Sequence, residues 1–289
     1  VSSRRIGFVG VGLMGSGMAS CLLADGYSVS LLAHRNREPV ERLIAQGASE
    51  APDTATLVQS CDVVFTCLPN AEAVEAFAGQ VLAQFRHGQI WIDTSTSRPE
   101  VSEAMAERLQ ARGAIFADAP VTGGPEQAQE GSLSSLVGCA EQHFSAVETL
   151  VGSYSKLVRR FGEAGRGHAA KLLNNLVSQG TAVLLSDAFQ CARKTGVDSH
   201  ALFEIMMAGA ARSGTLEKTV PAALEGRFDS SKFTIGNSAK DLRYARDLVN
   251  SVAPERTALA GVIADRLSDL ETRGRGGDYI STLLDPEKS

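Results

Sequence analysis

A lysine set among amides is the pattern in this chain that most suggests chemistry. The stretch Gly165-Arg166-Gly167-His168-Ala169-Ala170-Lys171-Leu172-Leu173-Asn174-Asn175-Leu176-Val177-Ser178-Gln179 has helical spacing. At ~100° per residue, His168, Asn174, Asn175, Ser178 and Gln179 all project within about 80° of Lys171, and leucines and a valine cover the other side. No carboxylate lies on the polar side. A solvated face ordinarily mixes Glu with its Lys and Arg and avoids Asn, a poor helix former. The pattern predicts donors facing a cleft, with Lys171 exchanging a proton with a substrate oxygen and Asn175, one turn on, holding that substrate. An ordinary solvent face or a satisfied buried polar cluster is the competing reading. His168, beside two glycines, fits helix-start chemistry better than catalysis.

The second pattern is Ile6-Gly7-Phe8-Val9-Gly10-Val11-Gly12-Leu13-Met14-Gly15, a GxGxxG between a strand and a helix. Gly10 permits the tight turn, Gly12 lets backbone approach a diphosphate, and Gly15 allows helix to pack on strand, while the helix N-terminus attracts the phosphates. A glycine-rich turn without a ligand is the alternative. The next strand ends Leu31-Leu32-Ala33-His34-Arg35-Asn36-Arg37, with no carboxylate before Glu38. The acid that binds a ribose 2′-hydroxyl in NAD is therefore missing, and Arg35 and Arg37 suit a 2′-phosphate. NADP is the expected cofactor and NAD a possible one, unless these arginines are only solvated loop charges.

Both patterns need elements to hold them. Residues 4 to 162 alternate β-rich runs (4–9, 27–33, 62–67, 89–93, 114–118, 133–138, 157–161) with helical stretches (13–25, 36–45, 53–59, 71–78, 98–112, 141–152). That rhythm predicts a doubly wound, Rossmann-type α/β domain over 1–162, with a parallel sheet and helices on both faces. After Gly162 the β-rich runs stop, and helical spacing occupies 165–195, 198–208, 236–251 and 255–272. An all-helical domain over 163–289 follows, joined to the first by a helix from about 165 to 195.

Length and composition agree. The chain has 289 residues, 44% of them apolar and 21% charged, enough for two ordinary domains. Its net charge of −5, with basic residues scattered among acids, argues against a nucleic-acid partner. Five cysteines without a CxxC pair indicate neither a disulfide framework nor a zinc knuckle, so a reducing, cytoplasmic compartment is the default. Arg4-Arg5 followed by an apolar stretch and Cys21 imitates an export signal, but Gly7, Gly10, Gly12, Gly15 and Gly17 are too many for a membrane-inserting helix. No membrane segment and no metal centre are expected.

With these motifs in place the sequence resembles the β-hydroxyacid dehydrogenase family nearly end to end. Gly10 to Gly15, continuing to Met18-Ala19, is similar to the family's dinucleotide signature. Asp118-Ala119-Pro120-Val121-Thr122-Gly123-Gly124, followed by Ala128 and Gly131, resembles its substrate-binding segment. Gly165-x-Gly167-x-x-x-Lys171-x-x-Asn174-Asn175 matches its catalytic pattern, and Lys240-Asp241-Leu242 its cofactor-side motif. Thr122 stands where the family commonly has Ser, and Cys139 where it often has Gly.

The resemblance implies reversible hydride transfer between NADP(H) and a small carboxylate-bearing aldehyde or 3-hydroxy acid, with Lys171 as proton donor and acceptor. Asn174 and Asn175 would bind the substrate, and Thr122, Gly123 and Gly124 its carboxylate. Gly10, Gly12, Leu13, Met14, Gly15, His34, Arg35, Arg37, Leu68, Pro69, Thr96, Phe233 and Lys240 would border the cofactor, Thr96 nearest the nicotinamide. Arg212, Ser213, Phe233 and Asp241 would finish the substrate pocket. A homodimer or homotetramer is expected. An imine reductase of related architecture, against which Lys171 weighs, and a non-catalytic NADP-binding sensor or scaffold are the rival functions.

Overall fold

The structure is a computed structural model that describes residues 4–33 and 36–288. His34 and Arg35 lie outside the described residues. The chain divides into two compact units, Val1–Lys171 and Leu172–Ser289.

The first unit runs β1 Arg5–Val9, α1 Leu13–Ala24, β2 Ser28–Leu32, α2 Glu38–Ala45, β3 Ser49–Glu50, α3 Thr54–Ser60, β4 Val63–Thr66, α4 Ala71–Val81, β5 Ile90–Asp93, α5 Pro99–Gln110, β6 Ile115–Asp118, β7 Val121–Thr122, α6 Pro125–Glu130, β8 Leu133–Gly138, α7 Glu141–Val151 and β9 Ser155–Gly162. Local chemistry sets several of these limits. Asp53 and Asn70 cap α3 and α4 by accepting the Thr56 and Ala73 N–H groups, and Pro99 occupies the first turn of α5. Val63-Val64-Phe65-Thr66 and Ile90-Trp91-Ile92-Asp93 are buried throughout, as strands covered on both faces must be.

The sheet order is β3-β2-β1-β4-β5-β6-β8-β7, with β9 beside β8. From β3 to β6 every pairing is parallel, and the winding direction switches between β1 and β4. In such a sheet the ligand crevice lies outside the strand C-termini at that switch. Beyond β6 the sheet is mixed, where the spacing predicts parallel strands: β8 runs antiparallel to β6 and β7. The connection explains this, because a parallel crossover is normally built on a substantial helix and α6 has six residues. The chain turns back at 119–132 instead of crossing over.

Helix α8, Arg166–Thr195, begins in the first unit and continues into the second, which adds α9 Ser199–Ala208, α10 Gly214–Leu224, α11 Ile235–Val252 and α12 Thr257–Leu270. Ala182, Val183, Ile235, Leu242, Ile263, Leu267 and Ile280 form one buried cluster there, and Leu185, Phe189, Leu216, Val220 and Leu284 another. The helical segments read from the sequence do not include α10; the helix starts on Ser213, whose hydroxyl accepts the Leu216 N–H, and carries Pro221 in its last turn. No described helix is long and apolar enough to cross a membrane.

Candidate active site

The glycine turn sits at the switch between β1 and β4. Gly10 has φ +97°, and a Cβ added there would overlap the Cys67 carbonyl; one added at Gly15 would overlap the Gly10 carbonyl. Only glycine meets both demands. Around Gly12, by contrast, nothing lies within 4 Å of an added Cβ. Helix α1 starts at Leu13 with no side-chain cap and no acid in its first turn. Its leading N–H groups thus face an open cradle, an arrangement that fits a diphosphate.

The neighbouring loops gather at the same strand ends. Cys67 N donates to Val9 O at 2.9 Å, Thr94 N to Thr66 O at 2.8 Å and Ala119 N to Asp93 O at 2.7 Å, so the ladder continues past β4, β5 and β6. Leu68 donates its N–H to Ser95 Oγ at 2.8 Å, Pro69 is exposed, and Thr96 is half-buried. Leu68, Pro69 and Thr96 therefore share one edge with Gly10 to Gly15.

Thr122 ends β7, and Gly123 follows with φ +123°. The expected anion nest is already partly used: the Gly124 N–H donates to Gln127 Oε1 at 2.7 Å. Arg37 is likewise engaged. It reaches Glu50 through two bonds of 3.2 and 2.9 Å and lies 3.6 Å from Glu41, on an exposed surface.

The start of α8 is held by Asp118, at the end of β6. Its Oδ1 accepts the Gly165 N–H at 2.7 Å and its Oδ2 the His168 N–H at 2.6 Å. Gly165 has φ +89°, and a Cβ at Gly167 would collide with the Leu136 carbonyl. The Gly165-x-Gly167 signature is thus a close approach of α8 to β8 around a buried carboxylate. Burial pushes the Asp118 carboxyl upward, against the nearby His168 and the two N–H donors that favour its charged form. Lys171 stands one turn further along, half-buried.

The polar stripe is not one row of donors. His168 is wholly buried, whereas Asn174 is exposed. In the second unit Asn175 is 3% exposed and donates its amide to Asp241 Oδ2 at 2.7 Å, and Gln179 accepts from Ser238 at 3.4 Å. The wheel registers a polar face; internal bonding to α11 uses part of it. Lys240 Nζ lies 3.0 Å from Asp241 Oδ1 and 5.4 Å from the Tyr244 ring. Phe233 is half-buried, with its carbonyl accepting the Ile280 N–H. Of the pocket candidates, Ser213 caps α10 and Arg212 pairs with Glu217 on the surface. Sequence reasoning missed the holding roles of Asp118 and Gln127, and that of Asp93, whose Oδ1 accepts the Thr66 and Ser95 hydroxyls at 2.8 and 2.6 Å. Asp118 was legible as a motif residue, but its partners lie 47 and 50 positions away.

Family models cover most of the chain. Residues 5–162 match the NAD binding domain of 6-phosphogluconate dehydrogenase, and residues 165–279 match the NAD-binding region of NADP-dependent 3-hydroxyisobutyrate dehydrogenase. The chain belongs to the β-hydroxyacid dehydrogenase family. Among β-hydroxyacid dehydrogenases, the mitochondrial 3-hydroxyisobutyrate dehydrogenase of Drosophila melanogaster is 31% identical over 98% of this chain and 89% of its own length. The 3-hydroxyisobutyrate dehydrogenase of Mycobacterium tuberculosis, solved with L-serine, has the same fold, with a TM-score of 0.89 at 24% identity over 100% of both chains. Psf3, solved with NADP+ and 2-OPP, gives a TM-score of 0.84 at 26% identity over 96% of this chain and 98% of its own. As a β-hydroxyacid dehydrogenase the protein is an NAD(P)-dependent oxidoreductase of the hydroxyacid type.

Proposed function

We propose that the protein transfers a hydride reversibly between NADP(H) and the carbonyl carbon of a small carboxylate-bearing aldehyde, giving the corresponding hydroxy acid, with Lys171 as the proton donor and acceptor. The observation that carries this reading is the placement of Lys171 one turn beyond a helix start that Asp118 ties to the end of β6, in the sheet whose β1 end bears the glycine turn. The bound dihydronicotinamide supplies the hydride. Lys171 Nζ delivers a proton to the substrate oxygen in reduction and removes it in oxidation. Asn175, one turn along α8, holds the substrate, with its amide oriented by Asp241. Thr122, Gly123 and Gly124 receive the carboxylate. The diphosphate rests on Gly10 to Gly15 and the first turn of α1, with Leu68, Pro69 and Thr96 beside the cofactor and Phe233 and Lys240 as its further contacts. Preference for NADP is supported by Arg37 and by the NADP+ bound to Psf3.

A paired NADPH and NADH assay against glyoxylate and succinic, tartronic and methylmalonic semialdehydes tests the reading. Turnover of none of them refutes the substrate class. Lys171→Ala is expected to lower kcat by ~10²–10⁴-fold, the usual contribution of a positioned acid, with NADPH binding unchanged in a fluorescence titration; retained turnover would remove Lys171 from the role. We also propose a homodimer or homotetramer. Leu173, Val177 and Leu184 lie along one side of α8 with 48%, 70% and 63% exposure, an apolar strip suited to a second copy.

A further inference from the structure

His168 stands one turn before Lys171, wholly buried, and each of its polar groups is bonded to a different part of the first unit. Its backbone N–H donates to Asp118 Oδ2 at 2.6 Å. Its Nε2 lies 2.8 Å from the Ser95 carbonyl oxygen; a carbonyl can only accept, so this nitrogen carries a proton. Nδ1 lies 2.7 Å from the Ser102 hydroxyl on α5. Ser95 in turn donates its N–H and hydroxyl to Asp93 Oδ1, at 3.2 and 2.6 Å, and its Oγ accepts the Leu68 N–H. One imidazole thereby joins the start of α8, the turn that leads into Thr96 and the loop that carries Leu68.

We propose that His168 is a positioning residue: its two ring contacts fix the rotation of α8 about its axis and so set Lys171 against Thr96 and Leu68. The inference rests on the reading of Lys171 as the proton donor. The ring touches no solvent, so it meets neither substrate nor cofactor; the Asp93 and Asp118 carboxylates flank it at 3.9 and 3.7 Å. Its effect is geometric. A displacement of the proton donor by about 1 Å costs a reaction of this kind ~10²-fold.

His168→Leu fills the same space without the donors, and His168→Gln restores an amide N–H that can reach the Ser95 carbonyl. For His168→Leu we expect kcat per NADPH-binding site to fall by ~10²-fold. Its NADPH dissociation constant should stay within about twofold, because that is set at the glycine turn. Amide exchange over 94–97 and at Leu68 should quicken in the substrate-free protein. His168→Gln should recover at least about tenfold of the loss, a factor the donor bond can account for. A packing role alone would remove binding sites and activity together. Should His168→Leu fail to fold, Ser102→Ala, which removes one ring contact, is expected to lower kcat per site by about tenfold. The proposal is overturned if kcat per site of the folded variant stays within about threefold of the parent, or if Gln is no better than Leu. Turnover retained by Lys171→Ala would remove the reading of Lys171, while the exchange measurement, made without substrate, still judges the clamp.

Discussion

At Gly124 the backbone N–H points at the Gln127 side-chain oxygen, 2.7 Å away, where an amide oxygen competes with a substrate carboxylate for the same donor. Gln127→Ala frees that donor at the loss of one neutral hydrogen bond, about 1 kcal/mol. The KM for the preferred semialdehyde should fall about fivefold with the KM for NADPH unchanged; a higher KM would mean that Gln127 itself receives the carboxylate. Arg37 presents a similar contest, since Glu50 holds it by two bonds and repels a 2′-phosphate. Glu50→Gln is expected to raise the NADPH to NADH ratio of kcat/KM several-fold, roughly the worth of one exposed ion pair, with NADH binding unmoved. An unchanged ratio would exclude Arg37 from phosphate recognition. These residues were legible as candidates because glycine and arginine at strand ends carry their chemistry in their type. Their engagement with Gln127 and Glu50 was not, since side-chain contacts depend on rotamers and on neighbours that a motif does not specify.

Elements are placed by a few long-range ties. Asp62, just before β4, accepts the Arg5 N–H at 3.0 Å and the Arg5 and Arg86 guanidinium groups at 3.2 and 2.9 Å, and its backbone carbonyl accepts the Ile90 N–H. It thus pins the starts of β1, β4 and β5. The Arg5 guanidinium, with help from Arg86, holds the Asp62 carboxyl well below the usual carboxylate range. A depressed folded-state pKa stabilises above the unfolded value near ~3.9, and this stabilisation is lost as pH falls through the folded value. Because the side chain is 33% exposed, the effect is about 1 kcal/mol after screening. Asp62→Asn should lower stability by that amount at pH 7 and flatten the loss below pH 4, measured by urea unfolding; equal acid sensitivity in both proteins would count against it. Strands and helices were readable at this scale from periods of 2 and 3.6, with Asp53 as a cap for α3 and Pro99 in the first turn of α5. The antiparallel return of β8 and the helix α10 were not, because the first follows from the length of a connection and the second from packing that tolerates Pro221.

For the whole molecule, the apolar strip Leu173, Val177 and Leu184 gives the oligomer proposal a direct test. The 30.4 kDa chain should scatter light at two or four times that mass, and Val177→Asp should shift it to the single-chain mass. A parent already at the single-chain mass ends the proposal. The wheel puts leucines and a valine on this side of α8 and predicts that the polar side faces a ligand. In the structure His168 and Asn175 are buried while Leu173 and Val177 are exposed, because Asp118, Ser95 and Ser102 claim the histidine and Asp241 the asparagine. The sequence alone determined the α/β-then-helical order, the diphosphate-type turn and Lys171 as the residue to test. Those depend on backbone conformations and spacings that a short stretch specifies by itself. Tertiary structure decided which of the polar residues are tied to partners within the fold. Their partners stand 47 to 73 positions away, and only the folded chain brings a carboxylate at the end of β6 to the first turn of α8.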